Sequence, residues 1–428
     1  MEERFLYHIW DEGHLIPDPR TISGKTIRIV YQGQYNTGRG PDFKNAIIEL
    51  DGHQSRGDVE IHLKSTDWQA HNHHEDVYYN RVILHVVLKH NSPYELTICE
   101  DGKGVEILAL EHQLSEDILK LTQEQDIPAS PAVFCDLLSA VDKDRLLSIL
   151  HSAGIRRFES KIKRFNTALA LSSFDQIFYE GIFEALGYDK NKLNTMQIAQ
   201  SLPIPLLREF LADGMSAGEL AAIFLGASGL LRKGSALLPK AELQALLESW
   251  ESQPFFARRL DIDWQLFRIR PQNHPLKRLL YISPIIHASL SQGIFHHFLQ
   301  QTQDANDLYK AFRAIWQPQT GAGNQLPQSL GNTVQNNIYL NIFLPVLCLW
   351  QRKMARESSS VIDAYRKFPA LQPNHITRFM ERYLNPSQIK LAQSKAIYQQ
   401  GLMDIYHRYC NWHLCAECKQ RATNAELI

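Results

Sequence analysis

Gly40-Pro41-Asp42-Phe43-Lys44-Asn45-Ala46-Ile47-Ile48-Glu49-Leu50, followed after Asp51-Gly52 by Asp58-Val59-Glu60-Ile61-His62-Leu63-Lys64, is the stretch that decides the fold. Both segments have strand length and are rich in β-branched residues, and alternate side chains of a strand share a face. Val59, Ile61 and Leu63 then pack inward, while Asp58, Glu60, His62 and Lys64 line the opposite face. Gly52 to Gly57 is expected to form the turn between the two strands. If the strands are antiparallel, Asp42 comes near Glu60, and a shared divalent ion relieves the repulsion of the two carboxylates. Lys64 can neutralise an anionic substrate. The same row of polar residues also fits the wet face of a half-buried strand.

Working outward, Thr26 to Tyr31, Val82 to Leu88, Tyr94 to Cys99 and Gly104 to Leu110 read as further strands, with Gly33, Gly38, Asp51-Gly52 and Asp101-Gly102 as punctuation. Helices are expected over Glu3 to Trp10 and over Ser65 to Asn80. His85 lies inside an apolar strand, where a lone imidazole needs a partner. His71, His73 and His74 follow the Glu60 strand, and neutral imidazole is a common transition-metal ligand, which brings Mn²⁺ or Zn²⁺ into consideration beside Mg²⁺. Trp68 and Tyr78-Tyr79 frame these histidines, so an aromatic, base-stacking surface is the competing expectation. Asn36 to Pro41 reads as the rim of the site, with glycines that allow close approach and Arg39 as a phosphate holder.

Beyond Leu114 the apolar spacing is helical almost to the end, with prolines between the segments. The expected organisation is an α+β protein: a small mixed-sheet α/β module over 1–113, then a large α-helical domain over 114–428. Gln317 to Gly331 is expected to be a connecting loop. Ile338 to Trp350, interrupted by Asn341 and Pro345, is too short to span a bilayer and reads as a buried helix. Gly226-Ala227-Ser228-Gly229 reads as a tight helix–helix contact, and Arg270 to Pro275 with Arg278 as arginines that cap loops or pair locally.

Composition excludes some classes of function. Lys+Arg (45) and Asp+Glu (46) nearly cancel among 428 residues, so no global field announces a nucleic-acid or membrane partner. The N-terminus lacks the pattern of a secretion signal, and six cysteines in so long a chain do not suggest a disulfide framework, so a reducing cytoplasm is the expected location. Three of those cysteines, Cys410, Cys415 and Cys418, end the chain as C-x4-C-x2-C. They suit Zn²⁺ or an iron–sulfur cluster, with the fourth ligand open among His407, His413, Cys135 and Cys348.

An N-terminal helix, two strands, Pro41-Asp42, a strand carrying Glu60-Ile61-His62, a crossover and another strand is an order that resembles the PD-(D/E)xK nuclease superfamily. The resemblance implies that Asp42 and Glu60 hold Mg²⁺ or Mn²⁺ and that a basic residue activates water. Here His62 stands where that family has lysine, so His62 acts as ligand or base, or Lys64 reaches in from the same face. The activity implied is that of a metal-dependent nuclease or phosphodiesterase acting on DNA or RNA. The alternative is a non-catalytic nucleic-acid-binding or scaffold protein that keeps a degenerate nuclease fold. Over nearly its full length, from the N-terminal helix through Gly40 to Phe43, Gly57 to His62, Arg270 to Pro275 and the terminal cysteines, the chain is also similar to an uncharacterised bacterial protein family of unknown function. That likeness supplies no mechanism.

Overall fold

The computed structural model describes residues 3–36, 38–115, 135, 138, 140–188, 190–253, 260–267, 269–303, 305–317, 330–412, 414, 415 and 418. His413 and most of the loop expected over Gln317 to Gly331 lie outside these residues. The fold is α+β, a mixed seven-stranded sheet with helices. Two compact units divide the chain. The first joins Met1–Arg157 to Pro373–Ser394 and Tyr398–Ile428; the second is Phe158–Gln372 with Lys395–Ile397.

In the first unit α1 (Glu3–Glu12) precedes β1 (Ile27–Tyr31), β2 (Gln34–Tyr35), β3 (Phe43–Leu50) and β4 (His53–Lys64). A one-turn helix α2 (Asp67–Ala70) and two 3₁₀ turns lead to β5 (Val82–Lys89), β6 (Leu96–Ile98) and β7 (Gly104–Ala109). The sheet order is β1-β3-β4-β5-β7-β6, with β2 beside β3. β3 and β4 pair antiparallel, whereas β4–β5 and β5–β7 pair parallel. A parallel pair needs a crossover that leaves the sheet plane, and the chain from Ser65 to Arg81 supplies it.

The β3–β4 turn is tighter than the sequence implied. Asp51 and Gly52 both have positive φ (46° and 82°), the signature of a two-residue hairpin turn, so β4 already begins at His53. Gly57 therefore lies in the strand and not in the turn. A Cβ there would stand 2.3 Å from Ile83 Cγ2, which is why only glycine fits. Further along, Phe43 pairs with Val59 but Ala46 with Gly57, so β3 carries one extra residue. Asn45 absorbs it at φ 61°, and the Asp58 carboxylate accepts its N–H at 3.0 Å. This bulge bends the strand just after Asp42.

One face of the sheet carries Ile48, Val59, Ile61, Leu84 and Val86 against Leu6, Ile9 and Trp10 of α1. Those three recur at the helical i, i+3, i+4 spacing that makes a single apolar stripe. Ile149, Leu150 and Ala153 of α3 (Lys143–Leu169) and Leu402 and Ile405 of the helix Ala396–Arg408 complete this core. Gly401 allows that closeness, because a Cβ there would stand 2.1 Å from the Leu150 carbonyl oxygen. The other face is roofed by the crossover, through Trp68 and Tyr79 packed with Val82, Cys99 and Val105.

The crossover itself departs from the helix expected over Ser65 to Asn80. Asn72 takes the left-handed conformation (φ 60°), and Asp76 turns extended and caps the following 3₁₀ turn by accepting the Tyr78 N–H. A left-handed residue and an Asx turn thus compete with helix continuation and win.

The second unit is helical. Its aromatic core includes Phe178, Phe183, Phe224, Phe298, Phe312 and Phe343. The expected helix around Ile338 to Trp350 is found: Asn332–Ile338 and Leu344–Lys353 are joined by a π-helical turn, Tyr339–Phe343. That wider turn stands directly before Pro345, whose missing N–H would break an α-helical ladder. Gly226 admits Trp250, with a Cβ position only 2.1 Å from the indole. Arg278 is buried and donates to the Leu186 carbonyl (2.6 Å) and to the Asn273 side-chain oxygen (3.2 Å). No helix among the described residues is long and apolar enough to cross a membrane.

Candidate metal centre

Asp42 and Glu60 are brought together by the bulged hairpin, through two reciprocal hydrogen bonds. The Asp42 N–H donates to Glu60 Oε2, and the Ile61 N–H donates to Asp42 Oδ2, each at 3.0 Å. Each carboxylate is therefore anchored by the backbone beside the other. The second oxygen of Glu60, Oε1, lies 3.5 Å from His62 Nε2 and 3.2 Å from His73 Nε2.

His62 is the hub of the histidines. It is 1% exposed and Glu60 is 5% exposed, so the polar row of β4 is a buried face and not a wet one. Its Nε2 is 3.1 Å from His71 Nδ1, and its Nδ1 is 2.9 Å from His85 Nε2. His85 Nδ1 in turn meets the Thr97 hydroxyl at 2.8 Å. The lone imidazole of β5 thus has two partners. This chain of contacts couples the tautomers of the two rings. If His85 Nδ1–H donates to Thr97, its Nε2 accepts from His62 Nδ1–H, and His62 Nε2 is left with a lone pair. Such an outer hydrogen bond is how a metal-binding imidazole is held in one tautomer and orientation.

His71 and His73 hang from the crossover. The nitrogens of His62, His71 and His73 all lie within 4.8 Å of one another. His73 is sandwiched, stacked on Tyr79 (3.8 Å between ring centroids) and on His62 (5.2 Å), with Trp68 edge-on. Trp68 is pinned by its indole N–H on the Ile98 carbonyl (3.0 Å). Although Glu60 is near, His73 Nε2 is buried with no hydrogen-bond partner. His71 is exposed, so the cluster opens to solvent on that side.

Electrostatics match a site built for a cation. Burial, then the charge of Glu60, pushes Asp42 up to about 8, and burial with the charge of Glu3 pushes Glu60 up to about 8. Burial, then neighbouring imidazoles, takes His62 down to about 2 and His85 to about 3. Neutral imidazole is the ligand form. The three imidazoles are mutually close, His62 Nε2 and His71 Nδ1 lying 3.1 Å apart, and Glu60 Oε1 stands 3.5 Å from His62 and 3.2 Å from His73. Three neutral imidazoles beside a carboxylate are a donor set that suits a transition metal.

Not every residue singled out in the sequence joins the cluster. Lys64 ends β4 with an exposed side chain opposite Lys89, and only its backbone N–H is engaged, by Asp67. Two further positions along an already bent strand carry it past the roof. Asp58 serves Asn45 and Arg81, and His74 lies 3.5 Å from Glu75. Arg39 stands at the rim, bonded to Asp76 (3.2 Å) and 4.1 Å above the Tyr78 ring. Sequence reasoning missed Tyr7, which donates to Glu3 at 2.6 Å and adjoins Asp42, and also Thr97. The i, i+4 spacing of Glu3 and Tyr7 was the available signal. Of the terminal cysteines, Cys418 is buried in the first unit's core, Cys410 packs against it and Cys415 is exposed; all are thiols.

Fold and site together define an α+β protein with a buried carboxylate–histidine cluster under a crossover roof. Residues 3–374 match the family model described as Protein of unknown function (DUF2851), and the chain belongs to that family. No curated protein and no solved structure matches it.

Proposed function

We propose that this protein is a metal-dependent phosphodiesterase acting on nucleic acid, with its centre at Glu60, His62, His71 and His73 and with Asp42 alongside. The observation that carries the reading is the convergence of a buried carboxylate and three imidazoles, with Glu60 Oε1 3.2 Å from a His73 Nε2 that makes no hydrogen bond among the described residues. A donor set rich in imidazole favours Mn²⁺ or Zn²⁺ over Mg²⁺. When bound, such an ion acidifies a water and offsets charge on a phosphodiester. The chain's own residues do the rest. Asp42 fixes Glu60 through the backbone, and the His85–Thr97 chain orients the ring of His62. Trp68 and Tyr79 exclude water behind His73. His71, on the open side, faces an incoming substrate and can pass a proton to solvent. Arg39 at the rim is placed to meet a phosphate group. The order of α1, the antiparallel β1, β3 and β4, the crossover and the parallel β5 also supports the reading, since it is the order that the nuclease resemblance implies.

A second reading rests on one observation: among the described residues no lysine enters the cluster. On that reading the protein binds nucleic acid or a partner protein without cutting. The discriminating experiment offers single-stranded DNA, RNA and a small phosphodiester to the purified full chain with Mn²⁺, Zn²⁺ or Mg²⁺. Cleavage is expected with Mn²⁺ or Zn²⁺. It should fall at least about a hundredfold in Asp42→Asn and in Glu60→Gln, the several kcal/mol of charge stabilisation that a catalytic metal supplies. Binding without cleavage supports the second reading, and cleavage that persists in both variants removes the site from the reaction.

A further inference from the structure

Besides the histidine cluster, the first unit holds five of the chain's six cysteines, and four of them belong to the C-terminal segment or pack on the core behind it. Cys410 opens a 3₁₀ turn, Cys410–Trp412, at the end of the helix Ala396–Arg408. From there the backbone winds tightly: the Trp412 and Leu414 N–H groups both donate to the Tyr409 carbonyl, and the Cys418 N–H donates to that of Leu414. Cys415 and Cys418 are both helical and stand three positions apart, the spacing that brings two side chains to one side of a helix. Cys135 comes from a segment 275 positions earlier. That segment is held in place by Gln388, whose side-chain amide donates to the carbonyls of Leu138 and Val141, each at 3.1 Å. Cys135 and Cys410 pack against the same core in which Cys418 is buried. The thiols of Cys418, Cys135 and Cys415 are all close enough to Cys410 to act on it electrostatically, and the Tyr383 hydroxyl feels Cys410, Cys135 and Cys415. The other two cysteines lie elsewhere, Cys99 beneath the crossover roof and Cys348 in the second unit.

We infer that Cys135, Cys410, Cys415 and Cys418 form one thiolate metal site, taking a zinc ion or an iron–sulfur cluster, and that Cys135 is the ligand that closes it. Four thiolates from a C-x4-C-x2-C segment and one distant cysteine are a complete ligand set for either group, and each thiol releases its proton to solvent on binding. The site ties two remote stretches of chain together, as a cross-link over a long loop does. It also has a downstream consequence. Trp412, two residues after Cys410, packs on Tyr7 (6.2 Å between centroids) and Tyr35 (5.6 Å), and Tyr7 adjoins Asp42. The metal therefore holds the aromatic wall behind the carboxylates, whatever those carboxylates do.

The test is elemental analysis of the full chain purified without oxygen, compared with Cys135→Ser, Cys410→Ser, Cys415→Ser, Cys418→Ser and the control Cys348→Ser. Each of the first four should lose about one equivalent of metal or cluster, and the control should keep it. Iron with acid-labile sulfide identifies a cluster. Zinc whose Co²⁺ substitute shows thiolate charge-transfer absorption identifies a single ion; either result supports the site. Thiol labelling of the unmodified protein guards against variants that do not fold, since exposed Cys415 should resist reagent until the metal is stripped. Retention of metal in Cys135→Ser, with loss in the other three, removes Cys135 from the ligand set. Immediate labelling of Cys415 in protein free of sulfur-bound metal overturns the site altogether.

Discussion

At the scale of single residues, the decisive contact is the one farthest from any candidate ligand. Thr97 holds the His85 ring and His85 holds that of His62; when His85 Nδ1–H donates to Thr97, His62 Nε2 is left able to bind. Thr97→Val preserves shape but removes the hydroxyl, so His85 is free to present the other nitrogen. Metal affinity, measured by calorimetric titration, should fall about 10–100-fold, the usual cost of losing an outer partner. An affinity equal to that of the unchanged protein would show that His62 is oriented by something else. Thr97 was not visible in the sequence as a functional residue, because the link from Thr97 through His85 to His62 joins three different strands.

Elements act together at the crossover. β4 presents Glu60 and His62, but His71 and His73 reach them only because α2 and its 3₁₀ turns fold back over the sheet. Trp68 holds that roof, buried against His73, His85 and Tyr79 with its N–H on Ile98. Trp68→Ala should cost about 3–5 kcal/mol in denaturant unfolding, as deletion of a buried aromatic does. It should also weaken metal binding more than Thr97→Val, since it releases two histidines at once. Stability lost with affinity unchanged would mean that His71 and His73 do not contribute. The polar segment Ser65 to Asn80 suggested one helix, and a left-handed Asn72 and an Asx turn at Asp76 broke it; such local backbone features leave little trace in apolar spacing.

For the whole molecule, the buried carboxylates and imidazoles set a pH dependence. Asp42 and Glu60 are raised from 3.8 and 4.5 to about 8 each, so the folded, metal-free protein binds more protons than the unfolded chain between those limits. Stability therefore falls as pH rises through that window. His62 and His85, lowered from 6.5 to about 2 and 3, act oppositely: their contribution is present above 6.5 and is lost as pH falls. Below 6.5 the two effects oppose each other, and above it only the carboxylates remain. Metal-free protein should accordingly lose stability from about pH 6.5 to pH 8, as measured by thermal unfolding. A saturating divalent metal that binds only the folded state should reverse the trend. The double variant Asp42→Asn/Glu60→Gln should flatten it, and an undiminished fall in that variant would place its origin elsewhere.

The sequence by itself determined the α+β class, the strand pair that carries Asp42 and Glu60, and the candidate ligands His62, His71 and His73. Strand periodicity, Asp-Gly turns and residue chemistry are local properties and can be read locally. Only the tertiary structure decided whether the polar row on β4 was a wet face or a buried site, because burial depends on a crossover whose path no local pattern fixes. It likewise excluded Lys64 from the cluster, gave His85 its two partners and packed Cys135 against the same core as Cys410, 275 positions away. Contacts between strands and between distant segments arise from packing, and sequence spacing does not encode them. The run from Asp42 to His62 was legible as a candidate; its roof and its outer partners came from the fold.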